Sequence, residues 1–376
     1  MLKHGCYSLT ALALLTPFAW ASDNEDLLGL DRIHVPALAD VNVSAAAGQG
    51  VTFDGGDAFS LNIYNRVQVM WGFASLENAP EVNTFGVPSA RTKFSGHAFT
   101  KNTRFAINND WAAGGLLDAY IEQDVTDNLI ARAGAQKTLY GREATGSSGS
   151  LEFTSRSLGA RTFSGARSTG LVLQMSAADD KLHLHAGAFN TDTAGGLGLS
   201  GPGGLNADNE LNYTLGVRYD INGDMGDTDY SQGDLESCRD WNASIGAGIW
   251  LGNEGAHPDT DVTAFNVNGA FKGHGFHAIV GYFSHSTNED VDPSVDDVDS
   301  SGFNLQASYQ LNAGLSFGAR FSSVTIDDAD AITEISFVAN KYLNGHGRKV
   351  QADVTIQEVD DDTSNVIFRV LATLQV

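Results

Sequence analysis

Nine basic side chains fall on the polar side of alternating segments: Arg66, Arg91, Lys93, Arg104, Arg132, Arg218, Arg320, Lys349 and Arg369. In a strand, every second residue projects from the same face. A guanidinium presents a planar fork of donors that matches carboxylate and phosphate oxygens. A surface lined in this way attracts anions. Four more arginines, Arg142, Arg156, Arg161 and Arg167, follow one another through and just beyond a Gly/Ser-rich stretch, ATGSSGS at 144–150. His183 and His185 stand two apart on one strand face, as metal ligands can. No cysteine or third fixed ligand accompanies them, so they read as polar lining. No G-x-S-x-G elbow and no set of nucleophile, base and orienting group occurs. The sequence therefore assigns no catalytic residue, no metal and no cofactor.

The elements that would carry these side chains repeat at period two. Residues 61–71 read LNIYNRVQVMW, with Leu61, Ile63, Val67, Val69 and Trp71 on one face and Asn62, Arg66 and Gln68 on the other. Such alternation marks a strand with one apolar and one polar side. Sixteen runs of this kind can be marked, at 59–73, 89–100, 104–110, 115–125, 129–137, 167–177, 182–190, 211–220, 241–251, 261–272, 276–285, 301–311, 315–324, 332–342, 348–358 and 364–376. The connections alternate too. Tight ones such as 101–103, 126–128, 272–275 and 343–347 take turns with long ones such as 74–88, 138–166, 191–210 and 286–300. That rhythm predicts an all-β, antiparallel, up-and-down transmembrane barrel of about 16 strands with short periplasmic turns and long external loops. Residues 221–240 break it, being long and acidic where a turn is due. Asp220-x-Asn222-x-Asp224 resembles the start of a calcium loop, but Met225 replaces the turn glycine and Ser231 the closing glutamate; a solvated acidic loop is the expectation.

Composition narrows the class. Residues 1–21 carry a basic start, a short apolar core at Leu9–Phe18 and an A-x-A signal at Ala19-Trp20-Ala21, and read as a signal peptide. Cleavage there leaves Cys238 alone, so no intrachain disulfide is possible. Residues 22–50 lack strand alternation and are expected to form a short periplasmic extension, with Val51–Phe53 a stub before the first strand. The barrel is then expected over 51–376. The 42 glycines, 18% charged residues and mean hydropathy of -0.15 suit either a soluble exported β-protein or an outer-membrane barrel. A formal charge of -24 argues against nucleic-acid binding. Aromatic residues near the strand ends (Trp71, Phe73, Trp241, Trp250, Phe271, Tyr282) would be interfacial girdles in a barrel and core in a soluble sandwich.

Several stretches, in order, resemble the phosphate- and polyphosphate-selective porins. They are SARTKFSGHAF (89–99), LLDAYIEQ (116–123), GAQKTLYGRE (134–143), LEFTSRS (151–157), Arg167–Gly170 and GAFNT (187–191). The C-terminal stretches GFNLQASYQL (302–311), GARF (318–321) and NKYLNGHGRKVQADV (340–354) extend the resemblance over most of 51–376. It implies a sixteen-stranded, homotrimeric outer-membrane barrel whose anion-conducting lumen is narrowed by an infolded loop. Two departures stand out. Arg167-Ser168-Thr169 replaces that family's Arg-Asp, and the chain ends in Val376 rather than Phe.

Strand parity gives a lumen of nine Lys or Arg against four acids, Asp118, Glu122, Glu334 and Asp353. His97, His183 and His185 share that side. Residues 51–170 hold eleven basic and eleven acidic residues; 171–376 hold nine and thirty. The loop 138–166 is expected to fold inward, so that Arg142, Arg156, Arg161 and Arg167 meet the wall arginines across a constriction. Rings of Lys and Arg select anions and phosphate, which makes small anions the expected solutes and outer-membrane lipid the surroundings. Two alternatives stay open. The arginines could be spent in ion pairs with Asp118, Glu122, Glu143 and Glu152, giving a general pore, or acidic external loops could make the pore prefer cations. A soluble sandwich that binds a ligand is the remaining rival.

Overall fold

The computed structural model describes residues 41–376, apart from 78, 166, 191–209, 223–224, 226–229, 238–239, 255–256, 290–296, 313, 328 and 361–362. The expected signal peptide (1–21), most of the expected N-terminal extension and Cys238 lie outside the described residues.

A hairpin of β1 (Asn42–Ala46) and β2 (Gly50–Asp54) precedes the long strands. These are β3 (Phe59–Leu76), β4 (Ala79–Ala98), β5 (Thr100–Asp110), β6 (Gly115–Thr126), β7 (Leu129–Lys137), β8 (Arg167–Ala177), β9 (Leu182–Asn190) and β10 (Leu211–Asp220). The second half comprises β11 (Asn242–Glu254), β12 (His257–Gly273), β13 (Phe276–Glu289), β14 (Val298–Asn312), β15 (Leu315–Ile326), β16 (Ile332–Asn344), β17 (Arg348–Asp360) and β18 (Thr363–Gln375). Each of β3 to β18 pairs antiparallel with its neighbour, and β18 returns to β3 through pairs such as Val370↔Trp71 and Ala372↔Val69. The result is a closed antiparallel barrel of sixteen strands. Closure removes sheet edges, which is what lets strands stand in hydrocarbon, where an unpaired backbone group costs several kcal/mol.

The side-chain parity of LNIYNRVQVMW shows which face is inside. Arg66 and Gln68 are 3% and 5% exposed, while Val67 and Val69 are each 45% exposed. The pattern repeats around the wall. Leu215, Ile249, Val280, Leu305, Phe317 and Ile335 point outward, and Asn266, Asn304, Gln306, Ser322, Asn340 and Gln351 are buried inside. Apolar outside and polar inside is the reverse of a soluble sandwich, and it suits a lipid-facing wall. Stacked rings of Trp241, Phe271 and Phe276 mark the turn end of that wall. Trp71 meets Phe368 edge-on at 5.6 Å nearer the other end. Trp250, expected with the girdle, is instead turned inward and 1% exposed.

Turn chemistry follows the sequence. His274 and Gly275, between β12 and β13, take φ of 52° and 84°, the left-handed pair that a tight hairpin needs because its twist matches the strands.

One expectation fails here. Within 74–88, read as an external loop, residues 74–76 and 79–88 are strand: β3 and β4 form one long ribbon with register shifts between Gln68 and Met70 and between Ala74 and Leu76. This stretch contains Pro80 and Pro88, which lack the N–H that a ladder uses. They are tolerated because this part of β4 pairs only with β3, the ladder to β5 beginning at Arg91↔Asp110; an edge position needs no N–H. Within 22–50, residues 42–46 form β1 despite lacking alternation. β2 takes up the pairing of β3 where the chain end leaves it. Asn65 and Val376 exchange backbone hydrogen bonds of 2.7 and 2.9 Å, and two residues on Val51 lies opposite Ile63.

Candidate functional site: a constricted lumen

Between β7 and β8 the chain turns into the barrel. It forms α1 (Arg142–Thr145), a 3-10 turn at Ser148–Ser150 and α2 (Leu158–Phe163). Local sequence shapes each piece. Ser157 caps α2 by accepting from the Ala160 amide (3.3 Å), and Ser147 accepts from the Gly149 amide (3.2 Å). These are the orphan amides that hydroxyl caps satisfy. Gly149 lets Arg66 approach closely, since a Cβ there would lie 2.5 Å from Arg66 Nη1 and displace that side chain.

The loop is bound to the arc from β11 to β18. Tyr140, Leu158, Ala160 and Phe163 pack on Trp250, Val262, Ala264, Phe283 and Val324, a dry apolar core inside the barrel. Polar ties continue toward the turn end. Thr154 donates from N (2.9 Å) and Oγ1 (2.5 Å) to Asp353 Oδ2. Arg161 Nη2 lies 2.6 Å from Glu334 Oε1, and Lys349 Nζ donates to the Leu151 carbonyl (2.5 Å). Glu152, 1% exposed, accepts from Ser308 Oγ (2.5 Å) and Gln306 Nε2 (3.0 Å), and its Oε2 is 2.7 Å from His277 Nδ1. Burial pushes the Glu152 carboxyl up, but the His277 charge and these hydrogen bonds prevail and hold it below its usual range.

The opposite arc, β3 to β10, keeps open space. A cavity of about 1140 Å³ lies there, bordered by nine lysines and arginines and five aspartates. Its basic border is Arg66, Arg91, Lys93, Arg132, Lys137, Arg156, Arg167, Lys181 and Arg218. Many of these are paired. Arg91 meets Asp110 at 2.7 Å and Arg167 meets Asp118 at 2.7 Å. Arg218 lies 3.2 Å from Asp220, with His183 3.4 Å from the same carboxylate. Arg132 shares Glu122 with Arg104, which also holds Asp124. Arg66, Arg156, Lys93 and Lys181 have no carboxylate contact among the described residues. Arg66 donates to the hydroxyls of Ser89, Ser147 and Ser148. Arg156 donates to the Glu143 and Gly146 carbonyls. The Lys93 and Lys181 side chains make no hydrogen bond or ion pair among the described residues.

Residues 230–237 also enter the lumen, which the reading of 221–240 as a solvated loop did not foresee. Gln232 is 2% exposed. Its amide donates to the Ser150 carbonyl (2.9 Å), and its side chain reaches Glu143, Glu152 and Gln306. Asp220 of the supposed calcium loop is turned inward onto Arg218 and His183.

The expected site residues thus divide. Arg66, Arg91, Lys93, Arg132 and Arg218 come together at the cavity with Arg156 and Arg167. Arg167 stands on β8 rather than in the loop. Arg104 is spent on Glu122 and Asp124 away from it. Arg320 is 3% exposed, covered by the loop through Phe153, 4.4 Å from its guanidinium, and the Ser155 carbonyl. Arg369 is tied to Asp353 and Ser155, and Arg161 to Glu334. Arg142 lies apart in a smaller recess with Tyr230 and Arg218. The ratio of nine to four is also corrected, because Asp110, Asp124 and Asp220 face inward. Each shares parity with Arg104, Glu122 or Arg218 on its own strand, so the pattern contained them. His277 likewise shares the inward parity of Ile279 and Phe283 on β13; Gln232 and Tyr230, in the β10–β11 connection, carried no such signal.

No family model and no curated protein matches the chain. Solved structures do. The anion-selective porin of Comamonas acidovorans superposes with a TM-score of 0.62 at 12% identity, covering 85% of this chain and 100% of that one. An OmpT variant lacking loop L8, an outer membrane protein of Vibrio cholerae, gives 0.60 at 14%, covering 85% and 100%. The outer membrane channel DcaP of Acinetobacter baumannii gives 0.59 at 10%, covering 85% and 98%. What these share with the chain is the barrel fold.

Proposed function

We propose that the chain is an outer-membrane porin for passive diffusion of small anions, phosphate and polyphosphate among them. The observation that carries this reading is the cavity border of nine cations against five carboxylates in a protein whose net charge is -24. Arg66, Lys93, Arg156 and Lys181 supply the positive potential, since no carboxylate among the described residues contacts them. Serine hydroxyls and backbone carbonyls fix the two arginines without cancelling their charge. Charge held in a narrow, low-dielectric passage acts more strongly on a passing ion than the same charge in open water. The barrel neighbours, the apolar outer wall and the signal-like residues 1–21 support export to the outer membrane; a trimeric form of OmpT among similar structures supports a homotrimer.

The ion pairs favour a second reading, a general pore of weak selectivity. Arg91, Arg104, Arg132, Arg167 and Arg218 all have carboxylate partners.

The reversal potential of purified protein in a planar bilayer under a KCl gradient separates the two. An anion-selective sign, with chloride current reduced by added phosphate, is the expected result. A potential near zero selects the general pore. A cation-selective sign rejects both and assigns control to the acidic loops.

A further inference from the structure

The periplasm-side connection between β10 and β11 puts a tyrosine into the lumen. Tyr230 borders both the main cavity and the smaller recess beside it. Its ring lies between two guanidiniums, 4.7 Å from Arg142 Cζ and 5.0 Å from Arg218 Cζ. Arg142 belongs to the infolded loop and Arg218 to the wall strand β10. Tyr230 therefore joins the two sides of the passage. Its backbone is left-handed, with φ of 54°, a conformation that costs a non-glycine residue energy and persists only where the surroundings hold it.

The surroundings do hold it. Two residues on, Gln232 connects five partners. Its amide donates to the Ser150 carbonyl (2.9 Å), and its Oε1 accepts from the Glu152 amide (2.9 Å) and Gln306 Nε2 (3.1 Å). Its Nε2 donates to Glu143 Oε1 (3.2 Å), and its carbonyl lies 2.7 Å from His346 Nε2. Asp234 then accepts from the Gly275 amide (2.7 Å) in the β12–β13 turn. Met225, 2% exposed, packs on Ala270 and Ile279 of the wall. A solvated turn has no use for such anchoring.

We infer that residues 230–237 form a second, periplasm-side half of the constriction, with Tyr230 as a selectivity-determining residue that narrows the pore and fixes the Arg142 and Arg218 guanidiniums at its edge. The inference builds on the anion-porin reading and adds what the loop 138–165 alone does not supply. A ring face close to two cations attracts both, so both guanidiniums stay at the edge of the passage instead of turning away to solvent, Arg218 while also paired with Asp220. The hydroxyl is not needed for this; the ring is.

The test is single-channel conductance and KCl reversal potential for Tyr230→Ala and Tyr230→Phe, with folding checked by heat-modifiable gel mobility. Tyr230→Ala is expected to raise conductance about 1.5- to 2-fold and to move the reversal potential toward zero, while Tyr230→Phe stays within about 20% of wild type. Wild-type conductance in Tyr230→Ala overturns the inference, as does raised conductance with an unmoved, anion-selective potential. If Tyr230→Ala does not fold, Tyr230→Cys in a Cys238→Ser background replaces it. Modification by a negatively charged thiosulfonate should then reduce the current at least about twofold, and lack of any effect overturns the inference. A wild-type potential already at zero removes the anion reading by itself; Tyr230 is then judged on conductance alone, so the two failures remain distinct.

Discussion

The two arcs of the barrel carry the same outward pattern and opposite inward ones. From β3 to β10 the inward positions hold Arg66, Arg91, Arg104, Asp110, Glu122, Arg132, Arg218 and Asp220, and the arc borders open space. From β11 to β18 they are more often serine, asparagine and glutamine, with fewer charges (Lys272, Arg320, Glu334, Lys349, Asp353 and Arg369), most of them covered or tied by the loop, and, near one end, Trp250, Val262, Ala264, Phe283 and Val324. That arc is filled by the loop. The difference teaches why the loop settles on one side. Neutral and apolar groups can be taken out of water when each polar atom finds a partner. A ladder of ion pairs loses more by desolvation than the contact returns, so it stays wet and becomes the passage.

The comparison can be broken in four ways. The largest effect is expected at Glu152 on the filled side. Glu152→Ala leaves His277, Gln306 and Ser308 buried without their acceptor and should lower stability by about 3–5 kcal/mol, read by urea unfolding in lipid vesicles, with noisy conductance as the loop loosens. A stability loss below about 1 kcal/mol would mean that the apolar core alone holds the loop.

The outer wall comes next. Val280 faces outward from the middle of β13, and Val280→Arg should cost about 2–4 kcal/mol if hydrocarbon surrounds it. The same unfolding measurement, run in vesicles, checks this; a neutral result would contradict a lipid-facing wall.

Acid gives a graded version of the first test. The Glu152 carboxyl is held below its usual range, so its contribution is complete above that range and is lost as pH falls through the lowered value. Open-channel noise should be flat from neutral pH down to about 4.3, the ordinary glutamate value, and rise below it. Glu152→Gln should remove that dependence from single-channel recordings.

The smallest stability effect belongs to the open side. Arg104 is partly exposed beside Glu122 and Asp124, so Arg104→Gln should change stability by no more than about 1 kcal/mol. It should leave reversal potential nearly unchanged, since Arg104 does not border the cavity. A shift as large as that of Lys93→Gln would place Arg104 in the ion path after all.

Period-two patterning carried the barrel's strand positions. The run 129–137 matches β7 and 167–177 matches β8, because a wall between lipid and water must alternate at every residue. Parity also placed Arg66, Arg91 and Arg132 inside. It failed where alternation is not what holds the chain. Pro80 and Pro88 survive in an edge ribbon, and β1 pairs without a patterned face.

The sequence by itself determined the barrel, its inside and its outside, since each strand must satisfy two solvents with consecutive residues. Only the tertiary structure decided which arginines keep their charge for the lumen and which are neutralised. That depends on partners far along the chain, such as Arg161 and Glu334, or Glu152 and His277. It alone brought Tyr230 between Arg142 and Arg218. Barrel closure and the inward loop set those neighbours, and no local period in the chain encodes them.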